Sequence, residues 1–194
     1  MKQLPIDLRP EACILAAFMV LLVPLDLVSA FFVSAALHEL GHLAAAKLCG
    51  VRVIGIRIGV VGAKIQLASM DLRAELVCSL AGPVAGLLTV MVQQWFPLLT
   101  VVAWIQSVCN LLPVYPLDGG RIWRCLLAIF FGERWAQRVG GITDFLCTVM
   151  ILLAGIIGFW RFGMGIFSIC VPTILVLRWL LRKIPCKSGD LGLQ

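Results

Sequence analysis

Apolar residues in this chain fall in long runs separated by short polar stretches, and over most of its length neither a helical stripe nor strand-like alternation is maintained. From Ala12 to Ala46 the only Asp, Glu, Lys or Arg residues are Asp26 and Glu39. One straight helix over that stretch would rise about 50 Å, against a hydrocarbon core of about 30 Å. Pro24-Leu25-Asp26 is therefore expected to turn the chain, giving two short spans at about 12–24 and 27–47. Further spans are predicted at about 76–95, where Phe96-Pro97 turns the chain, and at about 98–117, 139–160 and 164–181. Two connections have a different pattern. In 51–67, Ile54, Ile56, Ile58 and Val60 alternate with Gly55, Arg57 and Gly59, which predicts a hairpin or small sheet. In 121–138, Trp123, Leu126, Leu127 and Phe130 mix with Arg124, Glu133 and Arg134, as in an amphipathic helix lying along a membrane interface. The fold expected is an all-α polytopic membrane protein of about six transmembrane helices, with a small β-hairpin or sheet inserted after the second.

Composition narrows the class of protein. The 194 residues are 61% hydrophobic and 13% charged, and the mean hydropathy is +1.04. A soluble domain carries about 25% charged residues, so a soluble enzyme, a nucleic-acid-binding domain and a disordered tail are all excluded. The net charge of +6 is explained by topology. With the N-terminus inside, every Lys and Arg except Arg161 falls on the inner side, which predicts six spans with both termini cytoplasmic. Val28-Ser29-Ala30 resembles a signal-peptide cleavage site, but Asp7, Glu11 and Asp26 flank the apolar run and hydrophobicity continues past Ala30, so no cleavage is expected. The eight cysteines are scattered without a C-x-x-C pair and read as small hydrophobes rather than a disulfide scaffold or thiolate site.

The chain has two histidines, His38 and His42, with Glu39 directly after the first. Helical spacing of four puts both imidazoles on one face, within reach of one tetrahedral zinc ion. Glu39 then lies beside the open coordination position, where it can act as general base toward a water. If the second span ends near Lys47, His42 lies about 8 Å and His38 about 14 Å inside the boundary, a depth with no purpose in a soluble metalloprotease. Ionisable groups there are costly and point to function. A third protein ligand is needed and no histidine remains. Asp118 is the first candidate, since Pro113, Pro116 and Gly119-Gly120 unwind the chain around it on the same inner side. Asp144, near the start of the fifth span, is the alternative, and Asp71 and Glu75 rank lower. Asn110 supplies a polar amide one turn before the break.

His38-Glu39-Leu40-Gly41-His42, Asn110-Leu111-Leu112-Pro113 and Leu117-Asp118-Gly119-Gly120 together resemble the site-2 protease family of intramembrane zinc metalloproteases. The compact build is most similar to the bacterial branch of stage IV sporulation protein FB. Ala81-Gly82-Pro83-Val84-Ala85-Gly86 also resembles the family's small-residue helix. The resemblance implies zinc on His38, His42 and Asp118, with Glu39 as the catalytic base and Asn110 and Gly119 in contact with the substrate. It also implies that the 51–67 segment offers a strand edge to an unwound substrate. A single membrane-embedded protease domain is expected over 1–194, with a catalytic core at about 27–120 and C-terminal helices at about 121–184, and with neither a CBS nor a PDZ domain. The partners implied are a membrane-tethered protein substrate and regulatory membrane proteins, with no nucleic acid. The location implied is a bacterial cell membrane, with the site near the cytoplasmic side and regulated intramembrane proteolysis, as in sporulation, the expected setting. A metal transporter or sensor using the same ligands without hydrolysis is the competing reading. It calls for a polar path to the outer face, which spans 1, 3 and 6 barely supply. A catalytically silent scaffold is a further alternative.

Overall fold

A computed structural model of the protein describes residues 6–8, 10–59, 62–115 and 117–162. The chain divides into two compact units, 1–140 and 141–194, and the elements that build the site lie in the first. A short strand β1 (Ile6–Leu8) leads into helix α1 (Pro10–Leu22). Pro24, which lacks a backbone N–H, then breaks the chain before α2 (Leu25–Leu48), at the turn the sequence predicts. Strands β2 (Val53–Gly59) and β3 (Gly62–Leu67) follow, then α3 (Leu72–Leu87) with a 3-10 turn at Leu88–Val92. Next come α4 (Pro97–Asn110), α5 (Asp118–Phe131) and α6 (Glu133–Phe162). The span expected at 164–181 lies outside the described residues, as does Pro116.

Among the described residues, three stretches are long and apolar enough to cross a membrane: Leu25–Leu48, Leu72–Val92 and Glu133–Gly158. At 13 and 14 residues, α1 and α4 rise only about 20 Å, less than a full hydrocarbon core. The interior packing is that of a membrane protein. Its most buried side chains are small or hydroxylated, among them Ser34, Ala46, Ser79, Ala103 and Ser107, whereas Phe32, Met91, Ile105, Val108 and Met150 face outward. Lipid offers no hydrophobic force to drive helices together, so helices associate by close approach of small residues. Gly41 on α2 shows how close: a Cβ built there would lie 2.5 Å from the Ala81 carbonyl oxygen of α3 and 2.8 Å from Ala85 Cβ.

The segment after α2 forms the predicted sheet, with one addition. β2 and β3 pair antiparallel from Val53↔Leu67 to Gly59↔Gly62, with a register shift between Val53 and Gly55. β1 pairs parallel with β2, Ile6↔Ile56 through Leu8↔Ile58, making a three-stranded sheet in the order β1-β2-β3. Asp71 caps α3, its carboxylate accepting from Ala74 N at 3.4 Å. The fourth span is expected to run to Leu117, but regular helix ends at Asn110 and 111–115 is irregular. The amphipathic segment is helical from Asp118, and Gly132, at φ +84° and ψ 162°, separates α5 from α6. That backbone region is open essentially to glycine alone. Gly132→Ala is accordingly expected to destabilise the protein by about 1–3 kcal/mol, measurable as a lower midpoint in thermal unfolding in detergent.

Candidate metal centre

α2 is apolar around its circumference, so His38, Glu39 and His42 need a polar interior to face. α3 and the start of α5 supply it. His38 and His42 lie one helical turn apart with ring centroids 4.7 Å apart and planes at 86°. Their Nε2 atoms are 3.1 Å from each other. Asp118 Oδ2, at the first residue of α5, lies 3.0 Å from His38 Nε2 and 3.3 Å from His42 Nε2. His38 and Asp118 are buried and His42 is half-buried. Among the described residues, these three form the one group of His, Cys, Asp and Glu arranged to hold a metal ion. Asp144, the alternative third ligand, is not among them. It is buried on α6, where Thr148 Oγ1 donates to its carbonyl oxygen at 2.6 Å.

The chemistry of the donor set fits zinc. His42 Nδ1–H donates to the Cys78 carbonyl oxygen at 2.7 Å, which leaves the Nε2 lone pair directed at the group, as second-shell bonding does at metal-binding histidines. His38 Nδ1 is buried with no hydrogen-bond partner. Two imidazole nitrogens and a carboxylate oxygen thus converge at 3.0–3.3 Å, where a surplus of lone pairs calls for a cation. Tetrahedral zinc with bonds of about 2.0–2.1 Å has ligand-to-ligand edges of about 3.3 Å, close to the sides of this triangle. The residues present fit the ion.

Backbone approach makes room for the group. Gly82 on α3 faces the two rings, and a Cβ there would overlap His42 Nε2 and lie 2.9 Å from His38 Nε2. The sequence shows Gly82 only as part of a run of small residues, and nothing in that run says which member meets the histidines. Gly119 and Gly120 serve the loop that delivers Asp118. A Cβ on Gly119 would overlap the Leu111 carbonyl, and one on Gly120 would lie 2.5 Å from Tyr115 N. Gly119 is thus buried against the Leu111–Leu112 backbone, and in the same loop the Tyr115 ring is covered by the Arg124 guanidinium at 4.9 Å. Asn110, the last residue of α4, is half-buried and directs Nδ2 at His38 Nε2, 3.4 Å away. Glu39 is half-buried beside the group.

Comparison with known proteins bears on the fold and on the family. The architecture is that of a site-2 protease. The site-2 protease from Methanocaldococcus jannaschii matches with a TM-score of 0.67 at 23% identity, over 100% of this chain and 95% of that one. The model of peptidase family M50 matches residues 79–154. The zinc metalloprotease MJ0392 of M. jannaschii is 30% identical over 140 residues, 65% of this chain and 41% of that protein. The chain thus spans about two-fifths of the length of that curated relative.

Proposed function

We propose that the chain is a family M50 intramembrane zinc metalloprotease, which hydrolyses a peptide bond in or near the transmembrane segment of a membrane-tethered protein. The observation that carries this reading is the triangle of His38 Nε2, His42 Nε2 and Asp118 Oδ2 with Glu39 beside it. His38, His42 and Asp118 hold zinc, with Asp118 favoured over Asp144 because only Asp118 joins the triangle. Bound zinc supplies Lewis-acid polarisation of the scissile carbonyl and lowers the pKa of water. Glu39 takes the proton of the attacking water and passes it to the leaving amine. Asn110 borders the group with an amide donor and stabilises the charge that develops on the substrate carbonyl oxygen. Gly119 acts here by letting the start of α5 approach the Leu111 and Leu112 carbonyls closely, and any substrate contact is through its backbone.

A helical substrate shields its peptide bonds with its own hydrogen bonds, so it must unwind locally before attack. Because β2 is central in the sheet, an added substrate strand pairs with β3 or β1. Read by the positive-inside bias of the basic residues, the site faces the cytoplasm, so cleavage releases a regulatory factor on that side. The tie to the sporulation branch is drawn from the compact build alone.

Zinc content tests the root of this reading. Wild type and Asp118→Ala, purified in mild detergent, are expected to hold about one zinc per chain and roughly a tenth of that, respectively. Cleavage is read with a single-span reporter whose transmembrane helix carries an Asn-Pro break near one end. Undiminished zinc in Asp118→Ala would reject it as the third ligand and turn attention to Asp144→Ala. A folded, zinc-free wild type would reject the metalloprotease reading.

A further inference from the structure

Two polar side chains in the apolar interior take no part in the chemistry above. Ser34 on α2 is 1% exposed, and its Oγ donates to Gln106 Oε1 on α4 at 2.6 Å. Ser34 lies one helical turn before His38, and Gln106 one turn before Asn110. A step of four residues advances each helix by about 6 Å along the same face. The Ser34–Gln106 bond and the Asn110–His38 contact are therefore successive rungs between the same two helices, the first short at 2.6 Å and the second long at 3.4 Å.

Toward α3 and the turn after it, α4 is held by Thr100 Oγ1 donating to the Thr89 carbonyl at 3.0 Å and Trp104 Nε1 donating to the Leu87 carbonyl at 3.1 Å, whereas toward α2 small side chains do little to fix its register. Ala103 is completely buried but offers only a methyl group, and the buried Ser107 Oγ has no hydrogen-bond partner. Beyond Asn110 the helix stops, so nothing on its C-terminal side continues the regular pairing. Directly between α4 and α2, the Ser34–Gln106 bond is then the short directional contact that sets where Asn110 meets His38. We infer that Ser34 and Gln106 are positioning residues, which hold the Asn110 carboxamide in place against the metal centre. The inference rests on the peptidase reading, since Asn110 matters to catalysis only there.

Ser34→Ala and Gln106→Met remove the bond while nearly preserving volume. In metal-free protein each is expected to lower the unfolding midpoint, and the double variant to melt no lower than the worse single, as for one shared bond. Zinc per chain should stay at the wild-type level in all three. Reporter kcat is expected to fall about tenfold in each single variant with KM within about twofold, the cost of a misplaced group. In an Asn110→Ala background, Gln106→Met should lower kcat no further. If the Gln106→Met loss multiplies that of Asn110→Ala, or tracks a loss of zinc, the positioning role is overturned while the peptidase reading stands. If zinc-loaded wild type leaves the reporter uncut, the peptidase reading fails, and this inference with it.

Discussion

Glu39→Gln is expected to reduce reporter cleavage by about 10²–10⁴-fold, the usual share of a general base, while zinc stays at about one per chain. The substitution keeps the shape of the side chain and removes its ability to accept a proton. It leaves His38, His42 and Asp118 unaltered, and the contacts among them, 3.0–3.3 Å long, do not involve residue 39. Loss of cleavage without loss of zinc therefore separates proton transfer from metal binding. A transporter or sensor built on the same three ligands would keep its function in this variant. Retained cleavage in zinc-loaded Glu39→Gln would remove Glu39 from the mechanism and leave the site without an identified base.

The membrane helices were legible because hydropathy reports directly on the solvent each segment prefers. Pro24 and Phe96-Pro97 lie where helices break, since proline removes a donor whatever the tertiary context. Helix boundaries were less legible where hydropathy and hydrogen bonding diverge. α6 starts at Glu133, not near Val139, because the charged turn containing Arg134 and Arg138 is helical although polar. β1 could not be read at all, since three residues carry no period and its pairing with β2 spans about fifty positions.

At the site, residue type was legible and supporting geometry was not. The spacing of His38 and His42 gives one helix face, and the prolines before Asp118 announce unwound backbone, so the three residues that the structure brings together are legible in local pattern, although Gly119 and Gly120 are themselves helical. The carbonyl that fixes His42 belongs to Cys78, thirty-six residues away, and every residue has a carbonyl. Ser34 and Gln106 do leave a trace, as single polar residues inside Phe31-Phe32-Val33-Ser34-Ala35 and Trp104-Ile105-Gln106. A lone serine or glutamine in an apolar run marks a buried partner, but only the fold says which.

Gly82→Ala is expected to weaken zinc binding by roughly 10–100-fold, as loss of an outer-shell support does at metal sites, and to lower reporter cleavage in step with zinc content. None of His38, Glu39, His42 and Asp118 is itself substituted. The added Cβ would overlap His42 Nε2 and lie 2.9 Å from His38 Nε2, so rings or helix must move. The His42 ring is held by the 2.7 Å bond from Nδ1 to the Cys78 carbonyl, on the same helix as residue 82. α3 cannot shift sideways for free, because Gly41 and Ala81 already bring α2 and α3 to the distance that small residues allow. Separating the helices would break the His42–Cys78 bond, and rotating the ring would turn its Nε2 lone pair away from Asp118. Gly141→Ala, whose Cβ meets nothing within 4 Å, is the matched control and should keep both zinc and cleavage. Full zinc occupancy in Gly82→Ala would show that the rings yield without losing the triangle, and would reduce Gly82 to a helix-packing residue.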